Sequence, residues 1–235
     1  MFKFTLIIGL VVFGETVALK NDHYEAVKAL IGIYRSQISD TLLDLNNKLT
    51  KLQDQLEEYS IKFIKESTDD FKPEFDRILA DFGVLKQNIS EIGGDALQCL
   101  DVTESGITGL MEEFVESTNF CVTLQKDQNF ANYINNIKSE KDLSLRGSLK
   151  TFENQLEQCG EENNTCLIAL HEHLLEVVNK IHPGYFDKVV IDAEDKLASY
   201  EQMIYTGCYY VGKDIRYGDE MLKSIRECIE EISKL

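Results

Sequence analysis

Three of the four histidines in this 235-residue sequence lie close enough together to be considered as metal ligands. His171 and His173 are two residues apart, and side chains at that spacing on a helix point about 200° away from each other. His182 follows His171 by eleven residues, which is about three helical turns. No two of these imidazoles can reach one ion on a straight helix, so the sequence predicts neither a metal site nor a metal cofactor.

The segment Asp101–Glu112 resembles the outline of a calcium-binding loop. Oxygen-bearing side chains stand at its first, third and fifth positions, Gly106 at the sixth and Glu112 at the twelfth. Thr108 occupies the eighth position, where the template usually has an apolar β-branched residue, and only two of the side-chain donors are carboxylates. We therefore interpret residues 103–106 as a kink or the start of a helix rather than as part of a calcium site.

Sequence signatures of catalysis are missing. The chain has no Gly-x-Ser-x-Gly elbow, no phosphate-binding glycine loop and no His-Glu-x-x-His zinc helix. Adjacent acidic residues such as Glu112-Glu113 and Glu230-Glu231 point in different directions on a helix, so they do not form a general acid-base pair. The sequence predicts a protein that is not an enzyme and that needs no cofactor.

Tyrosines are concentrated near the C-terminal end of the chain, at Tyr200, Tyr205, Tyr209, Tyr210 and Tyr217. A tyrosine offers an apolar ring and a polar hydroxyl, so such a group could line a ligand cleft or a partner interface. Packing in the core and at its rim is the commoner use of tyrosine, and the sequence leaves both interpretations open.

The first residues have the layout of a secretory signal peptide. A basic start at Lys3 precedes the apolar run Phe4–Gly14, and Thr16-Val17-Ala18 provides small residues for cleavage after Ala18. A run of about eleven residues is too short to span a bilayer, which needs roughly 20. We expect residues 1–18 to be a signal peptide, the mature protein to be secreted and extracellular, and no later segment to span a membrane.

Six cysteines follow the signal peptide, at Cys99, Cys121, Cys159, Cys166, Cys208 and Cys228. In an oxidising compartment an even count predicts three disulfides, and six cysteines allow fifteen pairings. Zinc sites use closer ligand spacings than these cysteines have. Two sequons predict glycosylation at Asn88 and Asn163 and agree with passage through the secretory pathway.

The net charge of −17 limits the partners of the protein. Such a charge repels nucleic-acid phosphates and anionic lipid headgroups, so no nucleic-acid partner is expected. An unknown protein or a small apolar ligand remains as the partner, and a homo-oligomer is possible.

Apolar residues recur at steps of three and four along most of the chain, which is the pattern of amphipathic helices. A first helix is predicted over 21–66, and the polar cluster Ser67-Thr68-Asp69-Asp70 followed by Pro73 predicts a break. A second stripe over 71–92 ends at Gly93-Gly94 and is expected to fold back on the first as a hairpin. The first stripe consists of Val27, Ile31, Tyr34, Ile38, Leu42, Leu45, Leu49, Leu52, Leu56, Tyr59 and Phe63.

Further helices are predicted downstream of Gly94. Three of them cover 96–125, 129–137 and 186–232. Another starts at a Ser139–Asp142 capping box and ends at Glu157. One more is capped by Thr165. The predicted fold is therefore all-α, with long amphipathic helices in an extended bundle or coiled-coil-like hairpin that disulfides staple. Since all six cysteines lie after residue 94, we expect a cysteine-free arm over 19–92 and a stapled helical domain over 95–235.

Helix geometry restricts the disulfide pairing, because a disulfide needs Cα atoms within about 7 Å. On one helix Cys99 and Cys121 would lie roughly 33 Å apart, and Cys208 and Cys228 roughly 30 Å. Cys159 and Cys166 flank one loop and can pair. The other four then cross-link two helices, either antiparallel as Cys99–Cys228 with Cys121–Cys208, which we prefer, or parallel as Cys99–Cys208 with Cys121–Cys228.

Two cysteine pairs spaced about twenty residues apart stand near predicted helix ends, at Gln98-Cys99…Cys121 and Gly207-Cys208…Cys228-Ile229, and Cys166 opens the segment between them. With the signal peptide and the helical pattern, this arrangement resembles the insect secreted family named for the tsetse EP protein domain. The resemblance covers about 130 residues and leaves out 19–92. It implies an extracellular arthropod protein of undetermined biochemistry, with no catalytic residues to carry over.

Two functions are consistent with these features. The favoured one is an extracellular, non-catalytic protein that binds a ligand or partner through a groove or its acidic face. The alternative is a structural protein that oligomerises through an intermolecular coiled coil of the N-terminal arm, along the stripe Val27–Phe63.

Overall fold

A computed structural model describes residues 22–100, 103–209 and 215–232. The described residues form helices joined by short turns, and these ranges contain no strand, so the predicted all-α fold is confirmed. The predicted signal peptide lies outside the described residues. The helices are α1 Asp22–Ile92, α2 Glu104–Thr123, α3 Ala131–Cys159, α4 Asn164–Lys180, α5 Asp187–Met203 and α6 Ile215–Ile232.

Helix α1 is continuous over 71 residues, so the predicted break at residues 67–70 and the hairpin that followed from it are wrong. The apolar stripe continues through the polar cluster, because Ser67 is 4% exposed and Phe71 is 5% exposed. The cluster also makes helical contacts: the Thr68 hydroxyl donates to the Ile64 carbonyl at 2.7 Å, and Lys65 pairs with Asp69.

Pro73 lies inside α1 instead of at a helix start. A proline in a helix removes one backbone hydrogen bond and costs about 3 kcal/mol. The aromatic rings around it supply compensating contacts, since Phe71 stacks on Phe114 of α2 with ring centroids 4.2 Å apart. Burial of the stripe on both sides of Pro73 thus outweighs the local signals for a break.

The described part divides into two compact units. The first contains the residues up to Leu45 together with Ser139–Phe186. Its helical stretches are the start of α1, most of α3, and α4. Tyr34 of α1 meets Phe152 of α3 edge to face at 5.8 Å, and Arg35 pairs with Glu153. The core of this unit is formed by Val27, Ile31, Tyr34, Ile38, Leu42, Leu145, Phe152, Leu156, Cys159, Leu167, Leu170, Leu174, Val178 and Ile181.

The second unit contains Asn46–Lys138 together with the described residues from Asp187 onward. Here α1 packs with α2, the start of α3, α5 and α6. Arg77 of α1 pairs with Glu74 and Asp81 on its own helix and with Asp219 of α6 at 2.8 Å. One core cluster of this unit is formed by Ile78, Phe82, Leu85, Ile89, Ile107, Leu110, Leu222 and Ile225.

The compact units combine distant parts of the sequence. The described residues of the predicted arm, which belong to α1, are divided between both units, and each unit contains later helices as well. The reason is that successive stretches of α1 are covered by helices from different segments of the chain.

Three disulfides join all six cysteines, and their Cα–Cα distances are 5.5–5.9 Å. Cys99 pairs with Cys228, Cys121 with Cys208, and Cys159 with Cys166. The antiparallel arrangement that the sequence favours is confirmed, and the predicted loop staple is present. The pairs are nested in the sequence: Cys159 and Cys166 lie between Cys121 and Cys208, which in turn lie between Cys99 and Cys228.

Three predicted helix starts, at residue 129, at Ser139 and after Thr165, are wrong. Helix α3 runs through Ser139, so no capping box begins a helix there, and the π-helical segment Leu124–Phe130 connects α2 to α3 without a break. Helix α4 is capped by Asn163 instead of Thr165, because the Asn163 side-chain oxygen accepts from the Cys166 N–H at 3.2 Å. Of the predicted last helix, α5 continues into the π-helical turn Ile204–Cys208, and residues 210–214 lie outside the described residues.

Non-reducing peptide mapping checks the nested pattern. We expect three linked peptides, carrying Cys99 with Cys228, Cys121 with Cys208, and Cys159 with Cys166. A peptide that links Cys99 to Cys208 or Cys121 to Cys228 would contradict the antiparallel order of the helices that carry them.

The tight approach of α6 in the second unit is tested by Gly218→Ala. A Cβ at this position would lie 2.7 Å from the Ile78 Cδ1 and 3.0 Å from the Leu110 Cδ1. Both side chains are buried, so overpacking should lower the free energy of unfolding by about 1–2 kcal/mol despite the gain in helix propensity. Gly109→Ala on α2 is the matched control. A Cβ there meets nothing within 4 Å, and we expect about 0.5–1 kcal/mol of stabilisation in chemical denaturation.

Candidate functional site

The residues considered as metal ligands do not converge. His173 packs its ring edge to face against Phe152 at 5.2 Å, as a helix-surface aromatic would. Residues 104–112 of the calcium-loop outline are helical and belong to α2, and Asp101 lies outside the described residues. Within the described ranges, no group of three or more His, Cys, Asp or Glu side chains could hold a metal ion.

Both predicted glycosylation sites are at exposed positions. Asn88 lies on the exposed side of α1, and Asn163 caps α4 in the turn between Cys159 and Cys166. The Asn163 cap uses only the side-chain oxygen. Occupancy of either sequon stays a prediction.

One of the clefts in the second unit is lined by several aromatic residues, and we call it the tyrosine cleft. It has a volume of about 160 Å³ and lies between α1 and the π-helical turn that follows α5. Two of the five tyrosines singled out from the sequence line it. Its lining residues are Tyr59, Lys62, Phe63, Glu66, Ser67, Asp70, Tyr205 and Tyr209.

Helix α1 supplies one wall of the tyrosine cleft through residues that share one face at steps of three and four. Tyr59 and Phe63 are one turn apart, and their rings stack with centroids 6.4 Å apart and an interplanar angle of 18°. Phe63 is buried and Tyr59 is half-buried, and both line the cleft. The hydroxyl of Tyr59 donates to the carbonyl oxygen of Glu201 in α5 at 3.2 Å.

The opposite wall comes from the π-helical turn Ile204–Cys208 and the residue that follows it. Tyr205 and Tyr209 lie four residues apart and stack with centroids 6.3 Å apart and an interplanar angle of 14°. Cys208 stands between them in sequence and is bonded to Cys121 of α2. The disulfide therefore holds this turn in place, and π-helical turns of this kind often occur at functional sites.

Burial and neighbouring charges act on the Tyr59 hydroxyl. Removal from water raises the pKa of Tyr59 above its ordinary value of 10.0, and the nearby Glu201, Tyr205 and Glu66 raise this pKa further. Tyr59 consequently stays a neutral hydrogen-bond donor at neutral pH.

Charged groups lie on the α1 side of the cleft. Glu66 and Asp70 are one turn apart and exposed, and the Lys62 ammonium lies 3.7 Å from Glu66. Two carboxylates against one ammonium leave the cleft with an excess of negative charge. Ser67 is buried between these acidic residues on the helix and also lines the cleft.

The other tyrosines of the sequence group have different surroundings. Tyr200 packs edge to face on Phe130 at 5.3 Å, and Tyr217 is exposed on α6 away from the cleft. Tyr210 lies outside the described residues. Sequence reasoning missed Tyr59 and Phe63 as site residues because both fit the apolar stripe, and only the cleft that they share with Tyr205 and Tyr209 distinguishes them.

Comparisons of this chain with protein-family models, with curated proteins and with solved structures find no match. The resemblance to the family named for the tsetse EP protein domain therefore stays a prediction, and so does the expectation that the protein is not an enzyme. None of the described helices has the length and apolar character needed to cross a membrane.

The raised pKa of Tyr59 gives a direct test of the cleft. In a titration followed by tyrosinate absorbance, the curve of the wild type minus that of Tyr59→Phe should show one hydroxyl that ionises above the ordinary value of 10.0. Because the folded state holds this proton more tightly, the resulting stabilisation is present below the pKa of the unfolded chain. It is lost as the pH rises through the pKa of the folded chain. A difference curve centred at or below the ordinary value would contradict the described environment.

Proposed function

We propose that this chain is an extracellular, non-catalytic binding protein that holds its ligand in the tyrosine cleft. The observation that carries the proposal is the arrangement of four aromatic rings, those of Tyr59, Phe63, Tyr205 and Tyr209, around one concavity. Ligand sites usually combine such rings with a few polar groups that fix orientation, and the carboxylates of Glu66 and Asp70 are of this type.

The rigidity of both walls supports a preformed site. One wall is part of a long continuous helix, and the other is cross-linked to α2 by Cys121–Cys208. A ligand that enters a preformed cleft does not have to order the protein, so less of its interaction energy is lost on binding.

The alternative, assembly through an N-terminal coiled coil, is less well supported. It requires the stripe Val27–Phe63 to face another copy of the chain. The stripe is already used within the chain, since Val27, Leu49 and Leu56 are each 0% exposed. Because these side chains are buried within one chain, the stripe leaves no apolar surface for a second copy, and its periodicity does not favour a coiled-coil oligomer.

Secretion completes the proposal. Disulfides are typical of oxidising compartments, which fits an extracellular protein. The signal peptide over residues 1–18, glycosylation at Asn88 and Asn163 and an arthropod origin belong to the same proposal and are supported by the sequence alone.

A ligand screen that observes tyrosine rings by nuclear magnetic resonance tests the proposed function. The chain has ten tyrosines and no tryptophan, so the aromatic spectrum is simple. We expect at least one class among small amines, carboxylic acids, sugars and neutral apolar compounds to shift the Tyr59, Tyr205 and Tyr209 rings. The rings of Tyr24 and Tyr34 in the first unit should stay unchanged.

A pair of variants links that binding to the cleft. Tyr205 is 60% exposed and lines the cleft, so Tyr205→Ser should abolish the ring shifts while the far-ultraviolet circular dichroism stays helical. Tyr217→Ser is the matched control, because Tyr217 is 52% exposed in the same unit and does not line the cleft. Shifts that survive Tyr205→Ser, or a screen in which no class shifts the cleft rings, would refute the proposed function.

A further inference from the structure

We propose that the tyrosine cleft binds a small organic cation, a compound whose ammonium group carries methyl or methylene carbons. This inference rests on the proposed function and adds the chemical class of the ligand. It follows from the kinds of groups in the cleft, from their charges and from the size of the cleft.

The aromatic faces are the first argument. Rings of tyrosine and phenylalanine carry negative charge on their faces and attract an ammonium group within about 6 Å of the ring centroid. Tyr59 and Phe63 stack along one wall, and Tyr205 and Tyr209 stack along the other. A cation between the walls would meet rings from both sides, as ammonium groups do in aromatic cages.

The carboxylates are the second argument. Glu66 and Asp70 line the same cleft, and Asp70 forms no ion pair with any residue in the described ranges. An anionic ligand would be repelled by these two groups and by the net charge of −17, whereas a cation would be attracted by both. A neutral apolar ligand would gain nothing from the carboxylates.

The size of the cleft limits the cation. Drug-sized ligands occupy pockets of roughly 300–1,000 Å³. The tyrosine cleft measures about 160 Å³, so it fits an ammonium headgroup with a short chain but not a large ring system. The same chemistry could come from a free small molecule or from the end of a lysine side chain, and the choice of probes below distinguishes these sources.

Lys62 provides a sharp internal test, because it is a cation of the protein itself in the same cleft. Its ammonium lies 3.7 Å from Glu66 and offsets part of the charge that a ligand would use. Lys62→Met keeps an unbranched side chain of nearly the same length and removes its charge. Binding of an external ammonium should therefore become tighter in this variant, an outcome that a purely apolar site would not give.

The experiment titrates the protein with three probes while the Tyr59, Tyr205 and Tyr209 rings are observed by nuclear magnetic resonance. The probes are choline, its neutral carbon isostere with a tert-butyl group in place of trimethylammonium, and lysine blocked at both ends. We expect choline or blocked lysine to bind and the isostere not to bind. The tighter of the two cations identifies the source, and high salt should weaken its binding because salt screens the attraction.

Charge variants measure the contribution of the carboxylates. Asp70→Asn and Glu66→Gln keep the shape of the cleft, and each should weaken cation binding up to about fivefold. Asp69→Asn is the matched control, because Asp69 is the sequence neighbour of Asp70, pairs with Lys65 and does not line the cleft. It should leave the affinity unchanged.

Two results would overturn the inference. Equal binding of choline and its neutral isostere in the cleft would show that charge plays no part, although the cleft would remain a ligand site. Failure of both cations to shift the cleft rings would exclude the ammonium class. The broader screen would then decide separately whether the cleft binds any ligand, so the two proposals can fail independently.

Discussion

Burial of one apolar stripe along α1 is the interaction on which the rest of the structure depends. The stripe continues from Val27 to Ile89 without a break, and a helix of this kind is unstable in water unless its apolar face is covered. In the first unit α3 and α4 cover it, and in the second unit α2 and α6 cover the part around Ile78. Every later helix described here is amphipathic for the same reason.

Apolar stripes determine which helix faces are buried, but they select only weakly which helices pack together. The disulfides specify this pairing of helices. Leucine and isoleucine side chains can interdigitate in more than one register, whereas a disulfide requires one pair of residues to meet. Cys99–Cys228 fixes the C-terminal helix beside the 3-10 helix Gly94–Cys99, which precedes α2, and Cys121–Cys208 fixes the π-helical turn beside the end of α2. The geometry of the tyrosine cleft depends on the second of these bonds, because the turn carries Tyr205.

The periodic spacing of apolar residues predicted the fold better than the local signals for helix starts and ends. The stripe positions from Val27 to Phe63 are buried apart from Tyr59, which is half-buried. Helix rise excluded pairing within one helix and left two disulfide orders open, of which the preferred antiparallel one is present. The polar cluster before Pro73 predicted a break that is absent, because burial of the stripe on both sides of the cluster, at Phe63 and Phe71, decides the conformation there. One wall of the cleft could be predicted from the sequence, because two of the C-terminal tyrosines line it. The role of Tyr59 could not be predicted, because no pattern in one sequence tells which distant helix will face this residue. The π-helical turn could not be predicted either, since it has no sequence signal of its own.

The nested disulfides give the chain an unusual response to mechanical load. Tension applied to the chain before Cys99 and after Cys228 passes through a single sulfur–sulfur bond, so that the backbone between these two cysteines carries none of it. The backbones of α2, α3, α4 and α5 therefore lie outside the covalent load path, whereas α1 precedes Cys99 and lies on that path when tension is applied before its first residue. One wall of the tyrosine cleft therefore lies on the strained segment and the other on the relaxed one.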